Sequence, residues 1–440
     1  MVTAVRPLGP RTLADRAALA ARAEPELRRV LAEGEAGRVL LLVPDPHARF
    51  AAVELGARFV LDEVLSAGYG LCSYVFAWDP HRDVPASVPD GPLARYVTGF
   101  GDVRMLPDLA TVTRLPDRTV AVVCDVEWPG GGAVAAAPRT ALTAALAALE
   151  RHGLVPSAGI EHEVTFTDAA GTPLTGQPVD YAVGGTEPVR ALTRELAGVL
   201  DAAGLEVESA RAECHPGQFE SVLRHRDPLA ACDDAMLQQL LVREAAARHG
   251  VRASYLAAQD TGLGSSCHVH LSLSTMDGSR AGMEAFLAGV LRDAAALTAV
   301  WAPTWNSYVR LRTAPFSPRV LRWGTDDRTA AVRLAGRDGA RRLEFRFAGA
   351  DAQPHLVVAA LLAAGLAGID DGLSPPPEGE VTGELAATPW RALELLRHGR
   401  LAGLLGEEVA AQQEALLAAE IDAGLAAVTD WQRSRGALRS

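Results

Sequence analysis

The 440-residue chain contains no lysine: all 42 of its basic residues are arginine. That absence excludes the phosphate-binding loop, which needs a Gly-Lys-Ser/Thr, and the protein-kinase fold, which needs a strand lysine. It also excludes any lysine Schiff base. If a nucleotide is handled, its phosphates must be held by arginine, histidine and metal. Cysteine is scarce, five residues with no Cys-x-x-Cys spacing, and a reduced, cytoplasmic protein without structural disulfides follows. Positive charge is in deficit: 54 acidic against 42 basic residues, net −12, disfavours a nucleic-acid partner and leaves no basic patch for a membrane. Long hydrophobic runs are missing too. The longest helix-like one, LVVAALLAAGLAGI (Leu356 to Ile369), is too short to span a bilayer and reads as a buried helix. At the start, proline and scattered charges interrupt the apolar core that a signal peptide needs.

What is present is ordinary for a globular protein: 49% hydrophobic and 22% charged residues, enough to bury one large core or a small domain beside a large one. An Ala/Leu/Arg/Glu pattern predicts a helix from Arg11 to about Glu33, and GRVLLLVPD (Gly37 to Asp45) predicts a strand. AAVELGARFVLDEVLSAG (Ala51 to Gly68) reads as a helix and GLCSYVFAWD (Gly70 to Asp79) as a strand, followed by a loop rich in proline and aspartate. RTVAVVCDVEW (Arg118 to Trp128) is a strand that opens the larger part, and after a flexible GGGAVAAAP a helix covers Thr140 to His152. The division falls at 1–115 and 116–440. Beyond it strands and helices mix without strict alternation, so the fold class is α+β rather than a doubly wound sheet.

Several strands carry charge on one face. In RRLEFRF (Arg341 to Phe347), strand alternation puts Arg342, Glu344 and Arg346 together and Leu343, Phe345 and Phe347 opposite. In GIEHEVTF, Glu161 and Glu163 share a face. In SCHVHLSL, His268, His270 and Ser272 do. In AECHPGQFE, Glu213 and Glu220 flank a Pro-Gly turn that lets them converge. Each alone reads more simply as a solvated face, a surface histidine pair or a cross-strand ion-pair ladder. Together they describe one polar cavity in which carboxylates and imidazoles suit a divalent cation and arginines suit a polyanion such as phosphate.

These segments resemble the glutamine synthetases. The likeness runs from about Ala158 to Ile369 and comprises GIEHEVTF, ECHPGQFE, GSSCHVHLS, NSYVRL, DRTAAVRL and RRLEFRFAGADAQPHLVVAALLAAGLAGI, in order. The resemblance implies a small N-terminal β-grasp domain followed by a glutamine synthetase/guanido kinase-like catalytic domain, a curved antiparallel sheet flanked by helices. It implies ATP and Mg2+ or Mn2+ as cofactors, glutamate or a related acid and an amine as substrates, and a homo-oligomer, a hexameric ring or dodecamer with each site between neighbours. Glu163, Glu213 and Glu220 match the ligands of a first metal, and Glu161, His268 and Glu344 those of a second. Arg328, Arg333, Arg342 and His270 match the groups that neutralise the moving phosphoryl, Arg333 and Arg342 also touching the nucleotide with Glu208 and Ser272. Arg310 and Arg346 match the clamps on the acid, and Gly264 lies near its amino group.

Two departures bear on the amine and one on the acid. The family's glutamate that holds and deprotonates ammonium stands six residues after the arginine of Asn-Ser-Tyr-x-Arg-Leu; that position is Phe316. The Asp-Gly-Ser-Ser loop of the first domain, which completes a neighbour's ammonium site, has no counterpart, and Asp79 is the nearby carboxylate. Leu263 replaces an asparagine close to the acid. The tyrosine for regulatory adenylylation is also missing from the C-terminal segment. The resemblance therefore implies an ATP-dependent ligase that forms a γ-glutamyl amide with an amine other than ammonia, through an acyl phosphate. An ordinary glutamine synthetase and a catalytically silent sensor are the alternatives; a silent relative is expected to lose metal ligands, and all six are present.

Overall fold

Two sheets organise the chain, and the computed structural model describes residues 12–115, 117–182 and 187–437 of it. Arg11 and Pro116, which the sequence places at the start of the first helix and of the larger part, lie outside those residues. Helix α1, Leu13–Ala32, starts at a reciprocal cap: the Thr12 hydroxyl accepts from the Asp15 amide, and the Asp15 carboxylate accepts from the Thr12 amide.

The first sheet comprises β1 (Arg38–Pro44), β2 (Phe50–Gly56), β3 (Tyr69–Cys72), β4 (Asp102–Pro107), β5 (Thr113–Arg114) and β6 (Thr119–Glu127). Its order is β2-β1-β6-β4-β3, with β5 also on β6; β1 runs parallel to β6 and the other pairs are antiparallel. Here the sequence reading needs correcting in three places. The stretch from Ala51 is strand to Gly56 and becomes helical only from Ala57. Its helix-favouring composition is overridden by pairing with β1, and the hairpin is closed by Asp45 Oδ1, which accepts from the His47 and Arg49 amides. The strand expected over Gly70 to Asp79 stops at Cys72 and passes into a turn of 3₁₀ helix, Ser73–Phe76, because its partner β4 reaches no further than Asp102. Strand β6, expected to open the larger part, is central to this first sheet.

The second sheet takes β7 (Leu154–Thr167), β8 (Val207–Ala212), β9 (Gln218–Leu223) and β10 (Arg252–Ser254). The hairpin β11 (Ala258–Asp260) and β12 (Leu263–Gly264) follows outside it. The sheet continues with β13 (Cys267–Thr275) and, past the short β14 (Val320–Leu321), with β15 (Trp323–Thr325), β16 (Val332–Ala335) and β17 (Arg342–Phe345). Its order is β15-β16-β17-β13-β7-β9-β8, with β10 also on β7, and every pair is antiparallel except β15 with β16. Helices α2 (Pro138–Arg151), α3 (Glu187–Ala202), α4 (Pro228–Arg248), α5 (Glu284–Asp293), α6 (Trp305–Thr313) and α7 (Pro354–Asp370) surround this curled sheet, the two-part α+β fold implied by the sequence. α7 is the helix read as buried, and no helix among the described residues is long and apolar enough to cross a membrane.

A buried charge network ties the two parts together. Arg16 of α1 reaches Asp108 after β4 (2.7 Å) and Asp233 of α4 (3.0 Å). Arg139 of α2 contacts Asp108 (2.5 Å) and Asp233 (3.1 Å), and His355 of α7 contacts Asp233 (2.9 Å). Every one of these side chains is more than nine-tenths buried, so the charges must be mutually satisfied.

Candidate active site

The cross-strand register assembles the polar face. Glu161 on β7 lies opposite His268 on β13, His270 opposite Glu344 on β17, and Glu344 opposite Arg333 on β16. On the other side of β7, Glu163 lies opposite Glu220 on β9, and Glu220 opposite Arg211 on β8. The alternate residues, among them Ile160, Val164, Val269, Leu271, Leu343 and Phe345, are buried in the hydrophobic cores. Period-two alternation thus separates a packed face from a chemical one.

Two groups of side chains can each offer ligand atoms within 4.8 Å of one another: Glu161 with His270 and Glu344, and Glu161 with Glu220 and His268. Glu161 is common to both. The resemblance groups Glu163 and Glu213 with Glu220 instead; here Glu163 Oε2 accepts from the Ser266 amide (2.6 Å) and Gln218 Nε2 (3.1 Å), while Glu213 Oε1 accepts from Arg211 Nε (2.7 Å). His270 Nε2 stands 2.9 Å from Glu161 Oε1, and Arg342 Nε donates to His270 Nδ1 (3.1 Å). Arg333 binds Glu344 (2.8 Å) and Asp326, and Arg346 pairs with the other Glu344 oxygen.

The electrostatics are those of a cation site. Burial, then the charges of Glu161, Glu213 and Glu163, push Glu220 up to about 9 against the pull of Arg211. Glu213 is raised by burial and by Glu163. Burial acts upward on Glu161 as well, but His268 and His270 outweigh it and hold this carboxyl far below the usual range. Glu344 is lowered to about 2: burial raises it, and His268, Arg346, His270 and Arg333 prevail. His268 Nε2 is buried without a hydrogen-bond partner among the described residues. Crowded buried carboxylates beside such an imidazole nitrogen fit divalent metal, which would relieve the repulsion and satisfy the nitrogen.

One wall of this face opens into a cavity of about 420 Å³ that brings Glu161, Glu208, His270, Ser272 and Arg342 together. It also takes in His225, Arg280 and Arg341, which sequence reasoning missed. Arg328 is exposed in the turn between β15 and β16. On the other side, Arg310 is 1% exposed and donates to Phe347 O (2.9 Å) and Ser266 Oγ (2.8 Å); burial lowers it to about 10 against the attraction of Glu163. Arg310 and Arg346 each keep a buried Nε–H with no acceptor among the described residues. Gly264 sits where a side chain has no room: an added Cβ would lie 2.6 Å from the Ala314 methyl. Two residues on, Phe316 is 59% exposed with φ +60°, a backbone conformation that costs an aromatic residue free energy. Asp79 is committed to its own turn, its Oδ1 accepting from the His81 and Asp83 amides. Gln218 was also missed; it ties Glu163 to Gly264 O (2.8 Å) and Ser265 Oγ (3.1 Å), and its only signal is its place in the Pro-Gly-Gln turn.

The profile of the glutamine synthetase catalytic domain matches residues 135–435. The chain is 36% identical to the gamma-glutamylethanolamide synthetase of Streptomyces coelicolor over 439 residues, covering 93% of this chain and 94% of that one. It is 30% identical to a glutamate–isopropylamine ligase of Pseudomonas sp, over 73% and 75% of the two chains. A solved GmaS/ADP complex superposes with a TM-score of 0.82 at 26% identity, covering 94% of this chain and 99% of the other. Fold, ordered motifs and relatives agree: the chain belongs to the glutamine synthetase family and is a carbon–nitrogen ligase.

Proposed function

We propose that the protein joins the γ-carboxylate of glutamate, or of a closely related acid, to an amine other than ammonia, with ATP converted to ADP and phosphate. The observation that carries this reading is Phe316, an exposed ring on a strained backbone where the family has the ammonium glutamate. A phenyl ring offers apolar area and a weak cation–π face worth about 0.5–2 kcal/mol, and it accepts no proton. Alkylamines, with lysine at about 10.4 as guide, are protonated at neutral pH, and the attacking species is the free base. The relatives whose names specify an ethanolamide product and an isopropylamine substrate support the same direction.

Glu161, Glu163, Glu213, Glu220, His268 and Glu344 would hold Mg2+ or Mn2+, and the metal would neutralise charge on the phosphates. The nucleotide enters the cavity between Glu208, Ser272 and Arg342. Arg342, oriented by His270, and Arg333, oriented by Asp326, face the transferred phosphoryl, with Arg328 closing from its turn. The γ-carboxylate attacks the terminal phosphorus, the acyl phosphate forms, and the amine displaces phosphate. The unpaired Nε–H groups of Arg310 and Arg346 are the donors for the α-carboxylate. Subunits would form the family's hexameric ring or dodecamer in the cytoplasm, since the first domain of a neighbour would close the amine side; a stable, fully active monomer in sedimentation would contradict that part.

The test is phosphate release with ATP, Mg2+ and glutamate across ammonia, ethanolamine, isopropylamine and putrescine. At least one larger amine is expected to exceed ammonia in kcat/KM, and Phe316→Glu to shift the ratio toward ammonia. Ammonia as the best substrate of the wild type would refute the reading.

A further inference from the structure

Arg211 stands at the place where a first divalent cation would have to be neutralised by carboxylates. It projects from β8 onto the same face as Glu220, its partner in the β8–β9 register. Its Nε donates to Glu213 Oε1 at 2.7 Å, and its Nη2 lies 2.6 Å from Glu220 Oε2. The second contact is a close approach without hydrogen-bond geometry, and Glu220 Oε2 is buried without a hydrogen-bond donor among the described residues. One guanidinium therefore bridges two of the three carboxylates assigned to the first metal. It holds one oxygen of each, and it sets one positive charge beside a crowded group of carboxylates.

The bridge is built to be broken. Glu213 and Glu220 are 14% and 1% exposed, whereas the Arg211 side chain is 34% exposed. The arginine reaches in from the solvent edge and is the most exposed member of the three. The exposed Tyr181 ring lies 5.8 Å from its Cζ and gives the guanidinium a cation–π neighbour on the outer side. A divalent ion and Arg211 cannot both hold the same oxygens.

We infer that Arg211 is an internal counter-ion that exchanges with the first divalent cation: it bridges Glu213 and Glu220 in the metal-free protein and gives them up when the ion binds. The inference rests on the metal reading above and adds a competitor to it. Arg211 stabilises the metal-free site and weakens the site's hold on the ion, which favours a readily exchanged cation over a permanent one.

Calorimetric titration of the metal-free full-length protein with Mn2+, with neither nucleotide nor acid present, tests it. Arg211→Gln is expected to tighten the first Mn2+ event by about tenfold, one charge-assisted contact discounted for a guanidinium one-third exposed. The same variant should unfold at a lower temperature than wild type without metal and gain more from Mn2+. Arg211→Lys, whose point charge cannot bridge both carboxylates as a fork does, should fall between the two and serves if the glutamine variant does not fold. Mn2+ affinity equal to or weaker than wild type in a folded variant overturns the inference while leaving the metal reading intact. Absence of Mn2+ binding in the wild type overturns both.

Discussion

Glu220 would make the proposed metal site sensitive to pH. Burial and three neighbouring carboxylates lift it to about 9 in the metal-free protein, against about 4.3 for an unperturbed glutamate. At pH 7 it is therefore mostly protonated, and a cation must displace that proton. The affinity for Mn2+ should rise by about a factor of ten for each pH unit between about 6 and 9, with close to one proton released per ion at neutral pH. The sign for stability is opposite. A carboxyl whose pKa is raised on folding binds more protons folded than unfolded, so the metal-free protein loses stability as pH climbs from about 4.3 toward 9, by at most about 1.4 kcal/mol per unit. Saturating Mn2+ should remove that slope. Titration calorimetry in buffers of different ionisation enthalpy counts the protons, and thermal unfolding with and without Mn2+ reads the slope. A proton count near zero at pH 7, with affinity flat from pH 6 to 8.5, would refute the reasoning. Glu220→Gln should abolish both proton release and tight binding.

Glu163→Gln should lower turnover by at least about 100-fold with the fold retained. The glutamine variant is the cleaner one because Glu163→Ala would also strip the acceptor from the buried Ser266 amide, a cost of about 1–3 kcal/mol; steady-state kinetics and urea unfolding separate the two effects. Asp233→Ala leaves Arg16, Arg139 and His355 without their shared buried partner and should cost about 3–5 kcal/mol in denaturant unfolding, with little change if the network were merely solvated. Gly368→Val should disrupt the α5–α7 contact, since a Cβ there would lie 2.3 Å from Ala285 O and 2.5 Å from Gly289 Cα; a melting temperature within about 1 °C of wild type would contradict the packing.

Alternation alone exposed the chemical face. Strands β7, β13 and β17 each carry two charged or imidazole residues at alternate positions, and a core strand has no packing reason to do so. Which carboxylate meets which was not legible, because that depends on register between strands distant in the chain. Glu161 belongs to both ligand groups only because β13 brings His268 opposite it and β9 brings Glu220 within reach from the other side. Arg211 escaped notice for the same reason: two residues before Glu213 it reads as a surface cation until the register sets it against Glu220. Propensity misled at Ala51 to Gly56, where good helix formers are held extended by six register positions with β1. The ion network on Arg139 was equally invisible, since its members come from five separate segments.

The division of strain across the site explains how its chemistry can be conserved in kind and changed in substrate. The metal face is held by central strands whose reverse sides are packed in the largest core, so moving a ligand there would disturb the fold. The amine edge is different. Phe316 follows the last turn of α6, exposed and in a left-handed conformation, and nearby Ala314 abuts Gly264 while the Thr313 hydroxyl accepts from the Gly262 amide, which pins the loop to the β11–β12 hairpin. The side chain at 316 then points outward from a fixed backbone, free to be carboxylate or ring with little cost to the core. On the proposed reading, selection of the amine would be carried on a loop whose backbone is fixed by contacts and whose side chain is not, while phosphoryl transfer would stay on the sheet.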